Sequence, residues 1–483
     1  MQLHRVLHRL DEAGYVLAHR GDSQAVDTGL AWVTRSADFS AIWLAAAAVL
    51  AGTGGRRGRR AAARGLLSLG LTSALANGPL KTAVRRPRPG VDLIPVGRSR
   101  HRRTRTSSFP SGHSASAAAF AVGASSELPA AAAVLAPMAT LVGISRVRTG
   151  AHYPGDVVAG MALGAGVALA TRRVWPVPPG RPAAVGRPDP ALASRDGAGV
   201  RVVANPDAGP SGSKTPTDVL MEQLPRLEVV EHDGDDLLEA LQKAASGATA
   251  LGAAGGDGSV NAAAATAMEH DLPLLVVPAG TLNHFARDVG LDSAEDAAAA
   301  VHAGSVTEVD VGLIGDQVFL NTASLGSYAE LVHAREKLEG RIGKWPAVVV
   351  ALGGVLRGHT PVELEIDGSH RRVWMVFFGN CRYRPSGFAP SWRERLDDGL
   401  VDVRVVDAEM PFARARLLLA VLTGTLGRCR VYEQRTAQSV RIRSLEGPLK
   451  VARDGEVEEG PEELVVRKAA QRLRVYAPEL TTS

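Results

Sequence analysis

The sequence predicts an all-α membrane helical bundle, followed by a parallel α/β layer that runs on into a mostly antiparallel β domain. Three observations predict it. Residues 36–172 alternate apolar, alanine-rich runs with arginine-rich connectors. From Val200 strands alternate with helices, as in a parallel α/β layer. After about Asp310 strands predominate.

Residues 1–35 mix charges with apolar residues and have no long apolar core, so they are not a cleavable signal peptide. They read as an amphipathic arm, with a membrane-surface helix and a solvated helix both open. Apolar spans are expected at 36–54, 61–80, 114–125, 129–144 and 155–171. Several are shorter than the ~20 residues a bilayer crossing needs, and their Ala and Gly make them mildly hydrophobic, so a soluble helical bundle is the alternative. If all five cross, the 56–60 connector (RRGRR) and the exit Arg172-Arg173 share one side, cytoplasmic by the positive-inside rule. Residues 173–198, rich in Pro, Gly and Ala, form a linker.

In the second part a strand is expected at 200–204, a helix at 217–224 stopped by Pro225, a strand at 248–253, a helix at 260–268 and a strand at 273–277. Runs 262–265 and 297–300 are helix formers. Later strands are expected at 318–321, 348–352, 361–366, 372–379, 400–406 and 439–443. The α/β domain is drawn as 199–310 and the β domain as 311–483, after a membrane domain at 36–172.

The 483 residues carry a formal charge of only +5, without a basic-aromatic ribbon or zinc-finger spacing, so nucleic acid is not the expected partner. The two cysteines, Cys381 and Cys429, make neither a disulfide framework nor a metal cluster. Locally the arginine-dense 85–105 stretch suits an anionic headgroup or a phosphate.

Three short motifs border the apolar runs: Lys81-x6-Arg88-Pro89, Pro110-Ser111-Gly112-His113, and Ser145-Arg146-x5-His152-x3-Asp156. Cleaving a phosphomonoester without metal needs a nucleophile, an acid for the leaving alkoxide and fixed positive charge. His152 and Asp156 are four apart on one helix face, so the carboxylate can hold one ring nitrogen and present the other. His113 opens an apolar helix after a tight turn, placed to protonate a leaving oxygen. Lys81, Arg88 and Arg146 can clamp the phosphate, with Ser111 and Gly112 in the turn. These motifs resemble the type-2 phosphatidic acid phosphatase family, which shares its site with vanadium haloperoxidases. The resemblance implies a helical membrane bundle, a phosphohistidine on His152, His113 as acid, Asp156 orienting His152, and a lipid phosphate or pyrophosphate substrate without a metal cofactor. Two spans precede the first motif where six-span relatives have three.

Gly255-Gly256-Asp257-Gly258 follows a strand and opens a helix, so backbone amides can approach a phosphate. Asn205-Pro206-x-x-Gly209 and Pro278-x-Gly280-Thr281-x-Asn283-x-Phe285-Ala286-x-Asp288 add to it, as do the acidic sets 397–402 and 454–456. Phosphorylating a hydroxyl from ATP needs a phosphate cradle, acidic groups for magnesium and a base. Together these resemble the diacylglycerol kinase catalytic domain, a relative of sphingosine and NAD kinases, across residues 198–475. The resemblance implies a two-domain fold, an α/β nucleotide-binding layer plus a β-sandwich. It puts Asp257 and Thr281 at the ATP phosphates, with Asn205, Gly255, Gly256, Gly258, Gly280 and Asn283 in the ATP site. It makes Glu456 the base, with Asp454 beside it, and Asp398 and Asp402 part of a magnesium loop. The chain departs from that pattern at Ser259 (usually Thr), Ala262 (usually Glu) and Ala208 (often Ser).

The expectation is therefore a bifunctional lipid enzyme in the cell membrane. Its phosphatase site lies at the outer face and needs no cofactor, while its cytoplasmic kinase uses ATP and Mg²⁺ on a diacylglycerol-like lipid. Two alternatives stand beside it: a non-catalytic nucleotide or lipid sensor attached to the phosphatase, and a kinase for a soluble substrate. Oligomeric state is not readable from the sequence.

Overall fold

The computed structural model describes residues 2–20, 23–37, 40–89, 107–186, 196–205, 214–232, 236–280, 283–326, 360–387 and 391–478. Most of the arginine-dense loop before Pro110, positions 206–209, Thr281 and the strand expected at 348–352 lie outside the described residues. The chain divides into two compact units, Met1–Val177 and Pro178–Ser483.

The first unit is helical: α1 Gln2–Ala18, α2 Gln24–Ser36, α3 Ala41–Thr53, α4 Gly55–Leu75, α5 Lys81–Val84, α6 Gly112–Glu127, α7 Ala132–Arg148 and α8 Pro154–Val174. Small residues bring these helices together. A Cβ on Gly160 would lie 2.5 Å from the Ser111 carbonyl oxygen, and one on Gly164 2.1 Å from that of Ala115, so α6 and α8 cross backbone to backbone. The apolar centre holds Trp43, Ala61, Ala117, Phe120 and Val142, the two rings 5.4 Å apart.

At the far end of α6 the buried Glu127 is met by two α4 arginines. Arg64 Nε donates to it at 2.8 Å and Arg60 Nε at 2.9 Å, and the Arg64 guanidinium stacks on Trp175 at 4.6 Å. Losing either partner of such a buried pair costs ~3–5 kcal/mol, because the other charge stays stranded.

Among the described residues two helices are long and apolar enough to cross a membrane, Pro129–Arg148 and Pro154–Val174, or up to three if a bent pair including α3 counts as one. The runs expected as spans are helical where described, and the other helices are shorter or more charged than these two. Helix α3 has 13 residues, about 20 Å of rise. Helix α4 has 21 but carries Arg56, Arg57, Arg59, Arg60 and Arg64.

The second unit opens with alternating elements: β1 Val200–Ala204, α9 Pro216–Gln223, β2 Glu228–Glu231, α10 Leu237–Ala245, β3 Ala250–Gly255, α11 Asp257–Glu269, β4 Leu274–Pro278, α12 His284–Asp288, α13 Ala294–Ala303 and β5 Val306–Val309. Strands β1 to β4 are mutually parallel, with β1 between β2 and β3. The buried Val, Leu and Ala of β1, β3 and β4 are the continuous apolar runs of strands covered on both faces.

A mostly antiparallel β-sandwich-like part follows: β6 Gly312–Ile314, β7 Gln317–Phe319, β8 Thr322–Gly326, β9 Val362–Ile366, β10 Ser369–Asn380, β11 Tyr383–Arg384, β12 Trp392–Arg393 and β13 Val401–Asp407. After helix α14 Ala413–Thr423 come β14 Tyr432–Ala437, β15 Ser439–Ser444, β16 Leu449–Arg453, β17 Glu456–Gly460, β18 Glu463–Lys468 and β19 Leu473–Tyr476. The twelve-residue β10 pairs with β9 along its first half, with β8 along its second, and with β13 on the other edge. One expectation changes here. The end of the chain, grouped by sequence with the β domain, returns to the α/β layer as β19, between β4 and β5. Its buried Leu473 and Val475 fill that layer's core.

Candidate active sites

In the helical unit the loop after α7 is built around Gly150, whose φ of +76° suits glycine. Both Ala151 N and His152 N donate to the Arg146 carbonyl, at 3.1 and 3.2 Å. This turn buries His152 with 2% exposure. Its Nδ1 lies 2.7 Å from the Ser108 carbonyl. A carbonyl only accepts, so Nδ1 carries the proton and Nε2 presents a lone pair. Burial holds the His152 pKa below its ordinary value, and the nearby Arg146 and Arg88 add to that against the pull of Asp156.

Asp156 is fully buried at the start of α8, and its Oδ2 is 3.8 Å from His152 Nδ1. The same Oδ2 accepts from Tyr153 N at 3.0 Å, while Oδ1 accepts from Arg86 at 2.9 Å. Ser111 N donates to the Asp156 carbonyl at 3.0 Å, tying the second motif to the third. The first motif is zipped to the second through Ser108 N to the Arg86 carbonyl, 2.9 Å, and Arg86 N to Ser107 Oγ, 3.0 Å. Arg88 donates to the Ala151 carbonyl beside His152 at 2.9 Å.

Lys81 Nζ reaches Asn77 Oδ1 at 2.7 Å, and burial, then Arg88 and Arg146, lowers its pKa. Lys81 is thus near Arg88 and Arg146, and those two arginines act on His152, so the three supply the positive charge an anionic oxygen set requires. His113 stands on the first turn of α6, half-buried, with Ser111 as N-cap and Gly112 against Asn77.

Sequence reasoning missed Arg86. It pairs with Asp11 of α1 at 2.7 Å as well as with Asp156, and lies over the Tyr153 ring at 4.5 Å. Asp11 also accepts from Gly155 N at 2.6 Å, so the N-terminal arm braces the loop that holds the histidine.

In the second unit a cavity of about 490 Å³ opens at the C-terminal ends of β1, β3 and β4, lined among others by Asn205, Thr215, Asp218, Glu231 and Ala279. That edge of a parallel sheet is where ligands of α/β layers bind. The two glycine turns meet beside it: a Cβ on Gly280 would lie 2.5 Å from Gly256 Cα. Asn283 locks the second turn, accepting from Gly280 N at 3.0 Å and donating to its carbonyl at 2.7 Å. Asp257, first residue of α11, accepts from His284 N at 2.9 Å, and burial raises its pKa.

Glu456 comes from the β16–β17 hairpin, distant in sequence, yet its Oε1 would lie 2.8 Å from a Cβ on Gly258. Its neighbour Asp454 does something different. The Asp454 carboxylate accepts from Leu320 N, Asn321 N and Thr322 N at 2.7, 2.9 and 2.8 Å, which fixes the turn into β8. Burial pushes its pKa up to about 6. The fully buried Arg393, also missed by sequence, pairs with Asp288 at 2.6 Å and donates to Asn321 Oδ1 at 3.1 Å. Asn261 donates to the Val318 carbonyl at 3.0 Å, and the neighbouring Ala262 offers no carboxylate.

Asp398 and Asp402, expected together in a magnesium loop, serve different partners. Asp402 is buried and accepts from Arg404 at 2.8 Å, Gln434 at 3.0 Å and Tyr383 N at 3.2 Å. Asp398 groups instead with Asp310 and Cys381. The Lys468 ammonium stands 3.6 Å from Asp310 and 3.2 Å from Cys381 Sγ, and burial pushes that thiol up to about 12. Magnesium takes hard oxygen ligands, so a thiol beside an ammonium does not suit it, and the Asp402 carboxylate is already engaged by Arg404, Gln434 and the Tyr383 amide.

Comparison with known proteins agrees with this division. The PAP2 superfamily profile matches residues 62–177. The diacylglycerol kinase catalytic domain matches 199–314, and the YegS C-terminal NAD kinase beta sandwich-like domain matches 334–477. A probable lipid kinase YegS-like protein of Pseudomonas fluorescens is 29% identical over 254 residues, covering 51% of this chain and 84% of that one. A diacylglycerol kinase of Mycobacterium tuberculosis is 29% identical over 212 residues, covering 41% of this chain and 68% of that one. A solved PAP2-type phosphatidylglycerolphosphate phosphatase from Bacillus subtilis is 26% identical with a TM-score of 0.29, covering 35% of this chain and 85% of that one. The chain thus joins a segment that matches the PAP2 superfamily to one that matches the diacylglycerol kinase catalytic domain and one that matches the YegS C-terminal NAD kinase beta sandwich-like domain.

Proposed function

We propose that the chain is a bifunctional lipid enzyme, a phosphatase acting through His152 and a kinase acting through Glu456. The observation that carries the first half is the contact of His152 Nδ1 with the Ser108 carbonyl, which leaves Nε2 as a neutral nucleophile near Arg88 and Arg146, with Lys81 close to both. In the proposed reaction Nε2 attacks the lipid phosphorus and the bond to the lipid oxygen breaks as His113 protonates that oxygen. Water then attacks the phosphohistidine, His113 takes its proton, the P–N bond breaks and phosphate leaves. Lys81, Arg88 and Arg146 stabilise the equatorial oxygens, the work a metal ion does elsewhere, and on this reading the half needs none. If all five helical runs cross, the arginine-rich 56–60 connector supports a cytoplasmic kinase and a phosphatase site at the outer face, which is the sidedness we propose.

For the second half, the glycine turns at 255–258 and 280 would receive the ATP phosphates. Asp257 and Asn283 hold those turns in shape through backbone amides. Glu456, beside Gly258, takes the proton of a lipid hydroxyl as its oxygen attacks the γ-phosphorus and the bond to the β-phosphate oxygen breaks. Magnesium arriving with ATP would neutralise the phosphates, as in phosphoryl transfer generally. Lipid is the favoured acceptor because the catalytic unit is fused to a membrane-type helical unit.

The phosphatase half is tested by acid-quenching purified protein during turnover of a labelled lipid phosphate. Label bound to protein in the wild type and absent from His152→Ala supports the reading. Undiminished phosphate release by His152→Ala overturns it.

A further inference from the structure

Helix α14 seats Ala413, Leu417 and Ala420 in a core with Trp374, Phe377, Val406 and Tyr432. That i, i+4, i+7 stripe is enough to hold a surface helix, whose outer side is ordinarily polar. Here the outer side is apolar too. Ala415 is exposed, and Phe412, Leu419 and Leu422 are 84%, 63% and 57% exposed, with Leu418 beside them. Their spacing makes a second stripe along the helix.

No acidic residue occurs from Met410 to Val431, while Arg414, Arg416, Arg428 and Arg430 fall in that span and are exposed. Arg414 lies over the ring of Trp374 at 5.9 Å, at the edge of the core under the helix. A solvent-facing apolar row on a helix whose only charged residues, Arg414 and Arg416, are cationic is the composition of a helix lying in a lipid interface.

We propose that the outer face of α14 is a membrane-contact surface, with Phe412, Leu419 and Leu422 entering the acyl boundary of an anionic bilayer and the arginines meeting lipid phosphates. Charge selects this occupant over a second copy of the chain. A two-fold contact through the same patch would set its arginines against their own equivalents, whereas anionic lipid attracts each one. The surface adds a docking element to the lipid-kinase reading, and its test is independent of catalysis.

The full chain is reconstituted in nanodiscs containing anionic lipid, with Cys429→Ser as background and the buried Cys381 left in place. Nitroxides are placed at Leu419→Cys and Leu422→Cys, and at the exposed Arg441→Cys on β15 as the aqueous reference. Relaxation by oxygen and by a soluble nickel chelate then reads depth. The expected result is an oxygen-to-nickel accessibility ratio several-fold higher at 419 and 422 than at 441, falling toward the reference when the discs hold only neutral lipid. Equal ratios at all three sites overturn the proposal. So does protection of 419 and 422 from both relaxants with dipolar broadening between labels, the signature of a second copy. Loss of kinase activity elsewhere in the protein leaves this readout unchanged, so the two readings fail separately.

Discussion

His152 gives its Nδ1 proton to the backbone carbonyl of Ser108 at 2.7 Å, while the Asp156 carboxylate stands 3.8 Å away. The tautomer is therefore fixed by main chain, and Asp156 is engaged mainly with Arg86 and the Tyr153 amide.

In a triad whose carboxylate sets the tautomer, Asp→Asn lowers turnover by ~10⁴. Here Asp156→Asn should cost only ~10–100-fold, because the Ser108 carbonyl still accepts. His152→Ala should remove phosphohistidine-dependent turnover altogether. Steady-state phosphate release from a lipid phosphate checks both, and an Asp156→Asn loss as deep as that of His152→Ala would show the carboxylate to be the true orienting group.

Arg86→Ala strands the buried Asp156 charge and frees Asp11 from the loop. Because Arg86 is itself part-exposed, the cost should be moderate, ~1–3 kcal/mol. Thermal melting in detergent should fall for Arg86→Ala and fall less for Asp11→Asn, which leaves the Asp156 pair intact.

The His152 pKa lies below the free-imidazole value of 6.5, chiefly through burial. The neutral, nucleophilic form thus persists as pH falls below 6.5, and the acid limb of kcat/KM should sit below that value. The linkage has the same sign. The unfolded state takes the proton first, so stability present above pH 6.5 is lost as pH falls through the lowered folded pKa. An acid limb at or above 6.5 would contradict the buried neutral histidine.

Asp454 and Glu456, two apart on one hairpin, should separate by readout. Asp454→Asn tolerates the φ of +47° but weakens the clamp on three backbone amides. It should lower the melting temperature by an amount corresponding to ~1–3 kcal/mol. Glu456→Gln sits on an exposed strand end and should leave melting unchanged while stopping phosphate transfer from ATP.

Gly280→Ala places a Cβ 2.5 Å from Gly256 Cα, forcing the two turns apart. Misplacement on the order of 1 Å lowers rates by ~10²-fold, so kcat/KM for ATP should drop by that order with phosphatase turnover unchanged.

The helices and their order were legible because each of the three motifs abuts an apolar run, as at Gly112 and Pro154. Strands β1, β3 and β4 were legible as short, mainly apolar runs, β1 broken only by Arg201, ending in glycine, proline or a polar turn. Arg86 was not, because it sits in a stretch where arginines are dense and its partner Asp11 lies on a distant arm. The Ser108 contact had no sequence signal at all, since a backbone carbonyl is the same in every residue. The separation of Asp398 from Asp402 had a faint one. Asp402 and Arg404 share a face of β13 at strand period two, a ready-made ion pair. The return of β19 to the first sheet was hidden because Leu473–Tyr476 alternates like any strand of the β domain.

The central claim, two phosphate chemistries in one chain, is tested most directly by incubating purified His152→Ala protein with γ-labelled ATP, Mg²⁺ and a mixed lipid extract. The expected result is a labelled lipid that disappears when Glu456→Ala is added, and that loses its label on treatment with the wild-type chain. No labelled lipid from His152→Ala protein, with wild-type protein still releasing phosphate from lipid phosphates, would contradict the kinase half and leave a phosphatase joined to a sensor.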